Sequence, residues 1–209
     1  EFRRVLFRSR NDAEQFARFV GTRRWSVIWL AGRGIVGSPA GELEHESTCL
    51  ASLLDAIEGA DFARPGVFVI ASSAGAVYAA CGTSPKTEWT VPSPTSAYGF
   101  AKLDQERMVL EKSNTAALAR TVVVRIANVY GFGQDDRKPQ GLVTHLCRAV
   151  LLRRPFNLYV PLDTRRHYVS ASAAAAPASP APSAPSAAPS APSAPAAEAP
   201  KQPSLLDSQ

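Results

Sequence analysis

The sequence contains few cysteines, and their spacing supports neither a disulfide framework nor a thiolate metal site. Its 209 residues include only Cys49, Cys81 and Cys147, which are far apart and form no CxxC pair. This pattern excludes a small disulfide-stapled secreted domain and a zinc site of paired thiolates. We predict no metal site, and a reducing, cytoplasmic compartment fits best.

Apolar runs typical of a membrane span or a secretory leader are also missing. The uncharged stretch 67–85 includes serine, glycine, tyrosine and threonine, so it predicts a buried strand that continues into a loop. Arginines interrupt the apolar residues of 1–10, whereas a secretory signal peptide has a continuous apolar segment. We therefore expect no association with a membrane.

The middle of the chain also lacks a strong excess of positive charge. The formal net charge is +5, but four arginines against one glutamate place much of it in the first ten residues. A nucleic-acid partner would require a basic patch or stripe. We expect no nucleic-acid binding.

Both ends of the chain differ in composition from its middle. Residues 1–10 show no helical or strand period and are interpreted as an extraneous or disordered leader. Residues 173–209 are almost only Ala, Ser and Pro, a composition that cannot bury enough apolar surface to order itself. We predict a disordered low-complexity tail there and one folded region over 11–172.

The middle of the chain alternates between apolar strands and amphipathic helices. Such alternation predicts crossover units and a mainly parallel sheet, which is an α/β fold. The patterns predict strands at 26–31, 67–71, 121–126 and 157–160, and helices at 12–19, 42–57, 97–111 and 142–152, with Ser96 as the cap of the third helix.

A GxGxxG pattern at Gly32, Gly34 and Gly37 follows the first strand. In dinucleotide-binding folds these glycines let a helix N-terminus approach the pyrophosphate. The context argues against that interpretation, because Pro39 delays the helix and no acid for a ribose follows the next strand. The turn could instead contact a nucleotide that is bound mainly through another strand.

Tyr98 and Lys102 form a YxxxK pair on the predicted helix 97–111. Residues four apart share a helix face, so the phenol and the ammonium can approach one substrate atom. A nearby positive charge favours the phenolate, and we expect Lys102 to lower the pKa of Tyr98. The pair would then remove a proton from an alcohol while hydride leaves its carbon. A surface pair without function is the alternative.

Five segments in this order resemble the extended short-chain dehydrogenase/reductases, particularly the NAD-dependent sugar-nucleotide epimerase/dehydratase family that includes UDP-glucose 4-epimerases. They are 27–32 (VIWLAG) with 36–37 (VG), 72–78 (SSAGAVY), 94–106 (PTSAYGFAKLDQE), 125–134 (RIANVYGFGQ) and 163–169 (DTRRHYV).

The resemblance implies a Rossmann-like, doubly wound sheet in which 28–32 form the fourth strand. The family's phosphate-binding loop lies on the first strand, and no such loop precedes Val27. We therefore expect an N-terminally truncated NAD(P)-binding domain over 11–172, with only the start of the substrate-binding part.

The resemblance also implies roles for individual residues. Tyr98 would be the catalytic acid/base and Lys102 its partner, with both also contacting the cofactor. The family's Ser or Thr position falls on Ala74, so Ser73, or next Ser72, would replace it unless these serines only satisfy backbone groups. The cofactor would be lined by Leu30, Ala31, Gly32 and Ile126, and the substrate's diphosphate would be bound by Asn128 and Arg166.

The resemblance narrows the reaction. Family dehydratases carry an acidic pair where this chain has Gly75 and Ala76, so we expect an epimerase or reductase acting on a nucleotide sugar. The expected cofactor is NAD or NADP, with NAD preferred, and a homodimer through the YxxxK helix is possible. The alternative is a non-catalytic Rossmann-like binding or scaffold fragment without the glycine-rich loop.

Overall fold

The computed structural model describes residues 10–82, 85–134, 141–158, 160–161 and 163–176. The chain divides into two units, and every described residue except residue 176 belongs to the first unit, Glu1–Ala175. The elements are α1 (Arg10–Val20), β1 (Ser26–Trp29), α2 (Ala40–Glu58), β2 (Gly66–Ser73), α3 (Ala74–Val77), α4 (Ala97–Glu111), β3 (Leu118–Ile126), β4 (Asn128–Tyr130), α5 (Leu142–Leu151), β5 (Tyr168–Ser170) and α6 (Ala171–Ala175).

The first three strands form one parallel sheet in the order β1-β2-β3. Helix α2 connects β1 to β2, and α3 and α4 connect β2 to β3, as crossover connections between parallel strands require. A second, two-stranded parallel sheet pairs β4 with β5. The predicted α/β class with a mainly parallel sheet is confirmed.

The predicted helices all form, and α4 has the predicted bounds. Strands β4 and β5, of three residues each, were not predicted because they are too short to show a period. The predicted strand 157–160 does not form at Asn157 or Leu158, and Tyr159 lies outside the described residues. Helix α6 extends past residue 172, and the tail from 177 onward also lies outside the described residues.

The core lies between the sheet and helices α2 and α4. Phe68 and Ile70 of β2 are fully buried, and they belong to one cluster with α2 leucines and Val109 of α4. Neighbouring Val67 and Val69 point to the other face of β2 and are only half-buried. Within the described residues the apolar packing is therefore concentrated on one face of the sheet.

Strand β1 is less covered than its sequence predicts. A continuous apolar run is typical of a strand buried on both faces. Val27 and Trp29 do contact the core, but Ile28 on the opposite face is 47% exposed. The prediction of cover on both faces is wrong for the described residues, because α2 and α4 pack on the face that carries Val27 and Trp29.

A buried ion pair fixes α4 against the carboxyl end of the sheet. Glu106 of α4 is 2% exposed and accepts three hydrogen bonds from the Arg125 guanidinium of β3, one of them at 2.6 Å. Ser72 of β2 donates to the same carboxylate. Arg125 also donates to the Tyr78 hydroxyl, which donates to the Thr87 carbonyl oxygen at 3.0 Å. Two strands and the turn before α4 therefore share one polar network.

None of the described helices combines the length and the apolar character that crossing a membrane needs. The three cysteines are free thiols. Within the described part of the chain, no group of three or more His, Cys, Asp or Glu side chains is placed to hold a metal ion.

The ion pair generates a stability prediction. Replacing Arg125 by Met leaves the Glu106 carboxylate buried without its cation, and we expect a loss of about 3–5 kcal/mol in the free energy of unfolding. The matched control is Arg107→Met, because Arg107 contacts Asp104 and Glu111 on the exposed face of α4 and should change stability by at most about 0.5 kcal/mol. Urea denaturation measures both variants, and equal losses would contradict the assignment.

Candidate functional site

The N-terminal turn of α4 is held close to the end of β2. The Ser96 hydroxyl accepts a hydrogen bond from the Gly99 amide at 3.1 Å, so Ser96 is the predicted helix cap. Gly99 is buried, and a Cβ there would lie 2.8 Å from the Ala76 carbonyl oxygen and 2.9 Å from Pro94 Cβ. Glycine therefore permits an approach that any side chain would prevent, and this approach places Tyr98 beside the residues that follow β2.

Tyr98, Lys102 and Ser73 come together at this point. The Lys102 ammonium lies 5.6 Å from the centroid of the Tyr98 ring, so both side chains extend from the same face of α4. Ser73, the last residue of β2, forms a side-chain hydrogen bond with Tyr98. Lys102 is 6% exposed, whereas Tyr98 is half-buried. A phenol, a hydroxyl and an ammonium thus converge where β2 ends.

Burial dominates the titration of the pair. It raises the pKa of Tyr98 above its ordinary value of 10.0; the Ser73 hydrogen bond opposes this effect, and the negative charge of Glu46 adds to it. The expectation that Lys102 would leave Tyr98 with a lowered pKa is therefore wrong for the chain without a cofactor. Burial also lowers the pKa of Lys102, an effect that Glu46 opposes. Tyr98 is a neutral phenol at pH 7.

The two serines at the end of β2 have different partners. Ser72 is buried and donates to Glu106, so its hydroxyl belongs to the network under α4. Ser73 caps α3 through a 3.4 Å hydrogen bond from the Ala76 amide and also contacts Tyr98. Of the candidates that sequence reasoning left open, Ser73 is the one that reaches the phenol.

The structure shows what the glycine-rich turn does. The amides of Arg33 and Gly34 donate to one carboxylate oxygen of Glu46, the second of them at 2.6 Å. A Cβ on Gly34 would lie 2.6 Å from Leu43 Cδ2. These glycines allow α2 to approach the turn, and the amides that would cradle a pyrophosphate already have an acceptor. This geometry excludes the literal GxGxxG interpretation.

Sequence reasoning missed Glu46. An acid thirteen residues beyond Arg33 carries no motif that links it to the turn. The available indication was helical spacing, because Glu46 lies between Leu43 and Leu50 on the buried face of α2. A carboxylate on an apolar helix face needs a partner, and here the partners are the turn's amides and Lys102.

The predicted cofactor-lining residues lie at the carboxyl end of the sheet. Leu30, which is 71% exposed, and Ala31 and Gly32 follow β1 without regular structure. Gly32 approaches the Glu46 carboxylate so closely that a Cβ would lie 3.0 Å from its Oε2. Ile126 ends β3 and is the register partner of Ser73. In open parallel sheets, ligands bind outside this end of the strands.

The predicted diphosphate-binding residues are brought together by the second sheet. Asn128 begins β4, and both its amide and its side-chain Nδ2 donate to the His167 carbonyl oxygen, at 3.2 and 2.9 Å. Arg166 precedes His167 and is exposed. Ile126 is the last residue of β3 and Asn128 follows it by two residues, so Asn128 lies just beyond the carboxyl end of β3.

Comparisons with known proteins point to one family. The model of the NAD dependent epimerase/dehydratase family matches residues 12–176. No curated protein matches the chain.

Solved structures that are similar to the chain include three at 26% identity. UDP-glucose 4-epimerase from Thermotoga maritima, in a structure with UDP-glucose, covers 78% of this chain with a TM-score of 0.59. MoeE5, in complex with UDP-glucose and NAD, covers 80% with 0.61, and the NDP-hexosamine 5,6-dehydratase TunA covers 74% with 0.58. The matches include 53%, 54% and 49% of those chains, so this chain spans about half their length.

The family match extends over most of the chain, and it includes α4 with its Tyr98 and Lys102 pair and the end of β2 with Ser73. The chain belongs to the NAD-dependent epimerase/dehydratase family.

Proposed function

We propose that this chain carries the acid-base residues of an NAD(P)-dependent sugar-nucleotide epimerase or reductase. The observation that carries the proposal is the convergence of Tyr98, Ser73 and Lys102 where β2 ends. Similar solved structures support the substrate class, because two were obtained with UDP-glucose and one of these also with NAD. Gly75 and Ala76 offer no proton-transferring side chain, which favours epimerisation or reduction over elimination of water.

The residues present fit a nicotinamide cofactor. The exposed Leu30–Gly32 segment and Ile126 would line it, with Tyr98 and Lys102 at its reactive end. Bound there in its oxidised form, it supplies a hydride acceptor and a second positive charge. NAD is preferred because NAD is the cofactor in the MoeE5 structure.

Each of the three central side chains has a separate task. As a phenolate, Tyr98 would take the proton from the sugar hydroxyl while the hydride on the same carbon passes to the nicotinamide, and as a phenol it would return the proton in the reverse direction. Ser73 forms a hydrogen bond with the phenol, and it would also bind the reacting hydroxyl. Lys102 presents a positive charge to the Tyr98 ring, which stabilises the phenolate once it forms. Asn128 and Arg166 would bind the diphosphate, Arg166 through its fork of donors.

Substituting Tyr98 by Phe tests this assignment. The variant keeps the ring but loses the proton acceptor, so we expect turnover to fall by about 10²–10⁴-fold while NADH binding changes much less. Turnover of a UDP-sugar and NADH fluorescence titration measure the two quantities in the same preparations. Undiminished turnover in the variant contradicts the role of Tyr98, and circular dichroism verifies that both proteins fold alike.

NADH titration of the wild-type chain separates the two candidate functions. An enzyme of this family must bind its cofactor, whereas a non-catalytic scaffold need not. The occupation of the Arg33 and Gly34 amides by Glu46 is the observation that favours the scaffold. We expect saturable binding of NADH, and the absence of any fluorescence or calorimetric signal would reject the enzyme for this chain.

The ionisation of Tyr98 tests the role of Ser73, because the direction of the expected pKa change is known. Because the Ser73 hydrogen bond lowers the pKa of Tyr98, Ser73→Ala should move its ionisation to still higher pH. Phenolate absorbance reports this ionisation, and subtraction of the Tyr98→Phe spectrum isolates it. Ser72→Ala is the matched control, since Ser72 donates to Glu106 and should leave the Tyr98 titration in place. Equal shifts in both serine variants would remove the specific role of Ser73.

We also propose that two copies associate through α4. Phe100 and Leu110 of α4 are large and apolar, yet they are 55% and 53% exposed. Phe100→Asp should therefore convert a dimer into a monomer in sedimentation velocity. A wild-type chain that sediments as a monomer at micromolar concentration contradicts the proposal.

A further inference from the structure

The Glu46 carboxylate connects two parts of the site that are far apart in the chain. Its Oε1 atom accepts hydrogen bonds from the amides of Arg33 and Gly34 in the turn after β1. Its Oε2 atom is buried, has no hydrogen-bond partner among the described residues, and lies 3.9 Å from Lys102 Nζ. One side chain of α2 therefore binds the residues that directly follow the proposed cofactor-lining segment and also faces the ammonium beside Tyr98.

A second contact between the same two helices supports this arrangement. Lys102 Nζ donates to Gln105 Oε1 at 3.0 Å, and Gln105 Nε2 donates to Ser47 Oγ at 3.2 Å. Ser47 follows Glu46 on α2, so neighbouring residues of α2 hold the lysine and its hydrogen-bond acceptor. Lys102 and Gln105 are both buried, which limits the alternative positions of the ammonium.

The charges that face Lys102 can be named. From α2 it faces the Glu46 carboxylate, and from its own helix it faces the Tyr98 phenol and the neutral Gln105 amide. Burial penalises the charged form of a lysine, and an opposite charge within about 4–6 Å restores it. Glu46 is the opposite charge that acts on Lys102 here. Without this carboxylate the pKa of Lys102 would fall further below its ordinary value, because only the effect of burial would remain.

We propose that Glu46 is a positioning residue that ties the turn 32–34 to Lys102, so that the cofactor-lining segment and the charge beside Tyr98 are set by one carboxylate. The effect on catalysis rests on the proposed function, but the structural coupling does not. The carboxylate that binds the amides of the turn also raises the pKa of Lys102, so a change at Glu46 affects both places.

Two substitutions separate the two contacts. Glu46→Gln keeps a side-chain oxygen for the turn's amides but removes the charge, so the side-chain NMR titration of Lys102 should move to lower pH, with the resonance assigned through Lys102→Met. Glu46→Ala removes both contacts, so the amides of Arg33 and Gly34 should also exchange with solvent at least about tenfold faster. Glu44→Gln, an exposed acid on the same helix, is the matched control and should change neither.

An unchanged Lys102 titration in Glu46→Gln, or unchanged amide exchange in Glu46→Ala, overturns the proposal. A loss of fold in Glu46→Ala is recognised from circular dichroism, and the isosteric Gln variant then decides. Both measurements use the wild-type chain and its variants without cofactor. Failure of NADH binding would therefore reject the proposed function and leave the Glu46 coupling to be judged by the titration alone.

Discussion

The bidentate ion pair between Glu106 and Arg125 is the constraint on which the geometry of the site depends. It joins the middle of α4 to β3, while the Ser72 hydroxyl joins the same carboxylate to β2. One helical turn before Glu106 is Lys102, and a further turn before it is Tyr98. A buried charge has few alternative positions, because any other would leave it without its partner. Helix α4, which carries Tyr98 and Lys102, is thus fixed both in its rotation and in its position along its axis.

In the site carried by this helix, Tyr98 is protonated and cannot accept a proton. Tyr98 is partly withdrawn from water, and its raised pKa keeps the phenol neutral at pH 7. A buried lysine next to a carboxylate supplies a positive charge whose effect on the phenol is partly cancelled by that carboxylate. A further positive charge would therefore have a large effect in this poorly solvated place. Under the proposed function, the oxidised nicotinamide ring would supply that charge and would favour the phenolate when the cofactor is bound.

Local sequence patterns predicted the elements well, and contacts between distant segments poorly. The bounds of α4 and its Ser96 cap follow from spacing and from capping chemistry alone, and the YxxxK spacing places Tyr98 and Lys102 on one face. The role of Glu46 and the partner of Ser72 depend on how α2 and α4 dock, which no local pattern encodes. The expected lowering of the Tyr98 pKa failed for a related reason, because spacing reports a neighbouring charge but not the depth of burial.

Gly99 shows how narrowly the position of the tyrosine is defined. A Cβ at Gly99 would lie 2.8 Å from the Ala76 carbonyl oxygen and 2.9 Å from Pro94 Cβ, so there is no volume for even a methyl group. Replacing Gly99 with alanine is a conservative change in a helix, but it would move the first turn of α4 away from α3 and displace the Tyr98 phenol. The outer surface of the same helix is free of this restriction. In a substitution library, residue 99 should tolerate almost no change, whereas exposed Asp104 and Arg107 should accept many side chains.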